Sequence, residues 1–259
     1  MKHLLIILFS LGILVACKKA KENPEPVVVD PVTGQTAKKP SSFTIEFQSK
    51  AGNQDFGLEK VYNNSKGESF KVSIFKYFIG KITLLKPDGS KLYFEDYYLI
   101  NSPESETITI NNVPSGSYSG ISFEIGIDST NQAKKHVPGS ALDQTVNPDM
   151  IWIWGNDYLF FKLTGTSASS SDGQFGYDIT GYSQNNNTLQ TISTNFGSLL
   201  EIRPNAVPNI HYNVDVLEVF KNPIDISIST LPVVKTEGSD AVKISNNYKD
   251  IFQFQHIEN

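Results

Sequence analysis

From Phe43 onward, apolar and polar residues alternate. Phe43, Ile45 and Phe47 are separated by Thr44 and Glu46, the period-two pattern of a strand with one buried face. Phe70, Val72, Ile74, Phe78, Ile82 and Leu84 share one parity, which predicts a single long strand ending at the turn Pro87-Asp88-Gly89. Further strands are predicted over 92–99, 107–110 and 117–127, the last with Ile121, Phe123, Ile125 and Ile127 on one face. The pattern continues over 151–154, 158–163, 174–180, 199–202, 210–216 and 224–228. Near the end the period changes: Ala241, Ile244, Tyr248, Ile251 and Phe252 recur at helical spacing after Ser239-Asp240, a pair suited to capping a helix. The pattern predicts an all-β protein, an antiparallel β-sandwich with a short C-terminal helix docked on it. No Pro/Gly-rich linker interrupts the strands and no internal repeat is visible, so residues 43–259 read as one domain.

Composition agrees with this picture. Among 259 residues, 39% are hydrophobic, 19% charged and 11% aromatic, with 18 Gly and 13 Pro to serve the turns. The net charge of −5 and the absence of a Lys/Arg cluster interleaved with aromatics speak against nucleic acid as a partner.

The amino terminus has a different character. Met1-Lys2 precedes an apolar run from Leu4 to Ala16, the form of a secretory signal and too short for a comfortable membrane span. Leu14-Val15-Ala16-Cys17 resembles a bacterial lipobox, which implies cleavage after residue 16 and a lipid on Cys17. Residues 17–42, rich in Lys, Pro and Glu, read as a flexible tether that holds the domain off a membrane surface. Cys17 is the single cysteine, so the mature chain has no free thiol for disulfide, nucleophile or metal chemistry. Lys18, rather than Asp, after that cysteine resembles outer-membrane sorting in enteric bacteria, so the expected location is the cell envelope.

Catalytic motifs are missing: there is no Gly-x-Ser-x-Gly elbow, no phosphate loop, no His-Glu-x-x-His pair and no nucleophile–base pair. A binding protein rather than an enzyme is expected. Candidate chemistry lies with few residues. His211 and Asp215 alternate with Ile210, Tyr212, Val214 and Val216 and so face away from the core, as does Asp178 between Tyr177 and Ile179. Convergence of His211 and Asp178 under the tail bearing His256 and Glu258 would form a metal site of mixed imidazole and carboxylate ligands. His136 reads as a solvated loop residue.

Longer stretches carry a family resemblance. The segment from Phe75 to Leu84 followed by Asp88-Gly89 and Tyr97 to Ile100, then Phe123-Glu124-Ile125-Gly126-Ile127-Asp128, then Gly139 to Asp143, then Met150-Ile151-Trp152-Ile153-Trp154 leading into Tyr158 to Leu163, resembles the MbnP-like domain family. The order is completed by Val214-Asp215-Val216 before Phe220 and by Asn247-Tyr248 before Ile251-Phe252. The resemblance implies an extracytoplasmic β-sandwich that binds copper, with a tryptophan oxidised to kynurenine in some members by a di-haem cytochrome c peroxidase-like partner. On that basis His211 and His256 match family histidines, and Trp152 and Trp154 match the tryptophan pair beside the metal. Two departures stand out: Asp178 follows Tyr177 where many members have His, and Glu258 ends a motif that elsewhere reads His-x-His. Carboxylate oxygen suits copper less well than imidazole and tolerates zinc or manganese. The competing reading is a non-metal surface module in which Trp152, Trp154 or Tyr158 forms an aromatic platform for a glycan or peptide.

Overall fold

The computed structural model describes residues 41–134 and 137–259. The signal, Cys17, the tether up to residue 40 and His136 lie outside the described residues, whereas Ser41 and Ser42, expected in the tether, begin the first strand. Chain order runs β1 (Ser41–Ala51), β2 (Gln54–Asp55), β3 (Val61–Asn63), β4 (Ser69–Leu85), β5 (Lys91–Tyr93), β6 (Tyr98–Ser102), β7 (Thr107–Val113) and β8 (Gly116–Ile125). After the short helix α1 (Ser129–Gln132) come the hairpin β9 (Ile151–Trp152) and β10 (Asp157–Tyr158), then β11 (Phe161–Thr166), β12 (Gln174–Ile179), β13 (Gln190–Ile202) and β14 (Asn209–Asp215). The chain closes with β15 (Val233–Val234), α2 (Ser239–Tyr248) and β16 (Phe252–Glu258).

Two sheets form the sandwich. One has five strands in the order β16–β14–β1, with β2 and β7 sharing the far edge of β1. The other has nine, in the order β13–β8–β4–β11–β12–β15, with β3, β5 and β6 also pairing with β4. Most ladders are antiparallel, but β1 with β14 and β12 with β15 run parallel. Aromatic rings fill the space between the sheets. Phe47 of β1 lies edge-on to Tyr77, Phe123 and Phe252 at 6.3, 5.5 and 5.9 Å and stacks with Tyr212 at 5.9 Å, so a single residue joins strands of both sheets. Helix α2 closes the core, stacking Tyr248 on Phe161 at 4.8 Å and burying Ala241 and Ile244 beside it. Its first turn differs from the expected capping: Gly238 occupies the N-cap without a side-chain bond, and Asp240 instead pairs with Lys243 at 2.7 Å.

The long strand β4 corrects the single-parity reading. Its register slips between Val72 and Ile74 against β11, and again between Gly80 and Thr83 against β8, where Lys81 adopts a φ of 49°. Each bulge inserts one extra residue and reverses which side chains face inward. The main core therefore receives Phe70 and Val72, then Phe75, Tyr77 and Ile79, then Ile82 and Leu84. Phe78 points the other way. With Tyr97, Ile127, Leu142, Met150, Tyr158, Leu159 and Phe160 it forms a second, smaller core that residues 127–134 and 137–160 lay over the outer face of the nine-stranded sheet.

Two other expectations change. Residues 224–228 form no strand; Ile226 and Ile228 are buried, but the backbone of Ile224 is met by the Asn247 side chain, which also bonds the Val219 carbonyl. The chain also continues past the helix into β16, so Phe252 is a strand residue rather than the last helical position.

Glu68 ties this part of the fold together. Its carboxylate accepts from Asn64 Nδ2 at 2.6 Å, Ser227 Oγ at 2.9 Å and the backbone amides of Ile228 and Ser229 at 2.7 and 3.0 Å. Burial works to raise its pKa, but these donors outweigh it and hold it down at about 2. A depressed carboxylate stabilises the fold above its unfolded pKa, near 4.5, and that stabilisation is lost as pH falls toward 2. Two measurements follow. Glu68→Gln is expected to flatten the loss of stability between about pH 4.5 and 2 in urea titrations, and an unchanged acid limb would contradict this role. Phe47→Ala is expected to cost about 3–5 kcal/mol at neutral pH in the same assay, since the surrounding rings belong to two sheets and cannot collapse into the space.

Candidate functional site

The residues singled out from the sequence divide into two groups on opposite outer faces. In β14, Ile210, Tyr212 and Val214 are buried in the main core, which turns His211 outward from the five-stranded sheet. His256 of β16 is its direct cross-strand partner, and the two imidazole rings meet edge to face with centroids 5.0 Å apart.

That pairing depends on a bulge. Phe252 and Phe254 pack against the core, and unbroken alternation would carry His256 and Glu258 inward after them. The ladder instead pairs Tyr212 with Phe254 and His211 with His256, leaving Gln255 as the extra residue. The strand flips at that point, Ile257 turns in, and His256 and Glu258 turn out beside His211. Glu258 Oε1 sits 3.2 Å from His256 Nε2. Glu46 of β1, which the sequence reading did not single out, lies across from His211 on the other side and accepts from Asn209 Nδ2 at 3.3 Å.

His211 carries the most informative atom: its Nε2 is buried and has no hydrogen-bond partner among the described residues. A ring nitrogen shut off from water without a partner costs stability, and a metal ion is one group that would satisfy it. His256 is exposed and open to solvent. The pair offers two imidazoles as donors, with the Glu258 carboxylate bonded to His256 rather than completing a set of three. Among the described residues no group of three or more His, Cys, Asp or Glu side chains is arranged to hold a metal.

Asp178 does not join this pair. Its neighbours Tyr177 and Ile179 face the same main core from the nine-stranded sheet, so Asp178 projects from the other side of the sandwich. The expected convergence of His211, His256 and Asp178 fails because the residues, though each faces outward, belong to different sheets. Asp178 lies instead with Trp152 and Trp154 around a small cleft beneath the β9–β10 hairpin. Trp152 donates from Nε1 to the Lys235 carbonyl at 2.6 Å, and its ring covers Gly155, where a Cβ would come within 2.4 Å of the ring carbons. Trp154 is 72% exposed, whereas Tyr158 is buried in the second core and its hydroxyl donates to backbone carbonyls of Leu142 and Lys134, so Tyr158 has no part in a surface platform. Neither tryptophan is beside the histidines. Lys162 and Lys235, which line the same cleft, were not singled out from the sequence; Lys162 occupies the outward position between buried Phe161 and Leu163, the same signal that marked Asp178.

Two packed sheets of this topology define a β-sandwich domain. The family model named MbnP matches residues 40–242, and the chain belongs to the MbnP family. The match includes His211, Asp178, Trp152 and Trp154 and stops short of His256 and Glu258. Among solved structures, MbnP from Methylosinus trichosporium is similar with a TM-score of 0.53, covering 85% of this chain and 99% of that one at 13% identity, a likeness of fold alone. No curated protein sequence matches the chain.

The geometry of the histidine pair is directly measurable. A nuclear Overhauser contact between the ring protons of His211 and His256 is expected in the metal-free protein, and its absence would remove the bulge-dependent pairing.

Proposed function

We propose that this protein is a lipid-anchored domain of the bacterial cell envelope that binds copper through His211 and His256. The observation that carries the reading is the buried, unpartnered Nε2 of His211, set directly across from a second imidazole by the Gln255 bulge. Family resemblance supplies copper as the expected metal. Imidazole nitrogen suits copper, zinc, iron and nickel, so the ligands are consistent with copper but leave affinity order to the general preference for copper among divalent ions.

The resident metal would be held by the two imidazoles, with Glu258 placed to hydrogen-bond or ligate beside His256. Exposure of His256 and the enclosed Nε2 of the half-buried His211 give the site one accessible and one sheltered ligand, an arrangement suited to exchange of a metal with a partner rather than to its permanent enclosure. The reading needs no modified tryptophan, since Trp152 and Trp154 lie on the opposite face. A di-haem partner that oxidises tryptophan, as the resemblance implies, would meet Trp154 as the accessible indole. Binding rather than catalysis is the proposed activity. Anchoring would rest on the lipid at Cys17, and among the described residues no helix is long and apolar enough to cross a membrane.

Two experiments test these points. Equilibrium dialysis against buffered copper is expected to give about one metal per chain, with affinity reduced at least about a hundredfold in His211→Ala/His256→Ala, equivalent to ~2.7 kcal/mol. Equal binding by wild type and double mutant would refute the site. Metal content is the appropriate readout because both tryptophans lie far round the sandwich and their emission does not report on the histidine face. For the anchor, Cys17→Ala is expected to move the protein from the membrane to the soluble fraction of cells, and continued membrane association would contradict lipidation.

A further inference from the structure

The second group of residues encloses a cleft that the metal reading leaves unused. It lies between the β9–β10 hairpin and the outer face of β11 and β12, has a volume of about 140 Å3, and is lined by Trp152, Trp154, Asp149, Lys162, Asp178 and Lys235 among others. That is the room of roughly five liquid waters, comparable to one sugar ring.

Three features point to a ligand there. First, Asp178 Oδ1 is buried without a hydrogen-bond partner, and its other oxygen is 3.9 Å from Lys235 Nζ, at the limit of an ion pair. A buried acceptor left unmatched is costly, so a donor from a ligand would be received on favourable terms. Second, the Trp152 indole is held in place before any ligand arrives, by its bond to the Lys235 carbonyl and its seat on Gly155. A wall fixed in advance loses little entropy on binding. Third, the turn of the hairpin presents Ile153 and Trp154 at 80% and 72% exposure, two large apolar side chains in water at the mouth of the cleft.

Charge selects the class of ligand. Lys76 is committed to Asp149 Oδ2 at 2.8 Å and Lys162 to the Asp149 carbonyl at 2.7 Å, while the half-exposed Lys235 faces Asp178. An anion entering the cleft would meet the Asp178 carboxylate, and a cation would meet Lys235 and Lys162. A neutral molecule with hydroxyl donors on its edge and C–H groups on its faces satisfies both the carboxylate and the indoles. We propose that this cleft binds one ring of a neutral saccharide, its hydroxyls donating to the Asp178 carboxylate and accepting from Lys235, its apolar face against Trp152, and a continuing glycan chain passing over Trp154. The site is separate from the histidine pair and does not depend on the metal reading.

The two tryptophans of the chain are both in this cleft, so intrinsic emission reports on it without a label. The full chain, purified in detergent, would be titrated with neutral oligosaccharides of glucose, mannose, galactose, xylose and N-acetylglucosamine. Expected is a saturable blue shift with at least one series, weakened about tenfold or more by Asp178→Ala and by Trp154→Ala and unchanged in His211→Ala/His256→Ala. Calorimetry on the same variants separates lost binding from a lost signal in Trp154→Ala, and the exposure of Trp154 keeps that variant folded. The proposal is overturned if no neutral series gives a saturable response, or if the response survives Asp178→Ala and Trp154→Ala. A response confined to anionic polysaccharides or to phospholipid vesicles also overturns it.

Discussion

Everything displayed on the surface of this domain follows from which face of each strand meets the aromatic core around Phe47. Because Phe47 touches Tyr77 and Phe123 of one sheet and Tyr212 and Phe252 of the other, the two sheets share one register of inward positions. Once those rings are buried, alternation assigns the rest: His211 outward between Ile210 and Tyr212, and Asp178 outward between Tyr177 and Ile179. The cost of turning any of these rings to solvent is large compared with what a surface polar contact returns, so the core dictates the site and not the reverse.

Bulges are the means by which the chain escapes strict alternation. In β4, two of them let a single strand serve two cores, with Phe75 and Tyr77 facing one and Phe78 the other. In β16, the extra residue Gln255 lets two phenylalanines packed against the core precede a surface histidine. The functional consequence lies there: without that slip, His256 would have to be buried among aromatic rings, or the strand would have to give up Phe254 or Ile257. A bulge beside a candidate site is a common way to re-aim a ligand while keeping the ladder intact.

Much of this was legible from the residues. The alternation of β1 and β14, the fold class, the helix carrying Ala241, Ile244 and Tyr248, and the outward direction of His211 and Asp178 all follow from local pattern, because each element buries one face only. The parity of β4 was not legible, since a strand buried on both faces is apolar at successive positions, as in Tyr77-Phe78-Ile79, and carries no periodic mark of where it slips. Residues 224–228 alternate like a strand, but Ile224 bonds the Asn247 side chain, Ile226 donates to the Phe220 carbonyl and Ile228 donates to Glu68, partners that no local pattern announces. Local pattern also says that a side chain leaves the core without saying through which sheet. For that reason His211 and Asp178 were expected together and stand on opposite faces, with the tryptophans on the side of Asp178.

The histidine face and the tryptophan cleft are therefore two separate surfaces on one sandwich, the first proposed to hold a metal and the second a neutral ligand. The first carries the proposed function. Its most direct test is a crystal structure of the copper-loaded protein with anomalous scattering recorded at the copper edge. One strong peak is expected within bonding distance of the imidazoles of both His211 and His256. A peak in the Asp178–Trp152 cleft instead, or a loaded protein with no metal at the histidine pair, would contradict it.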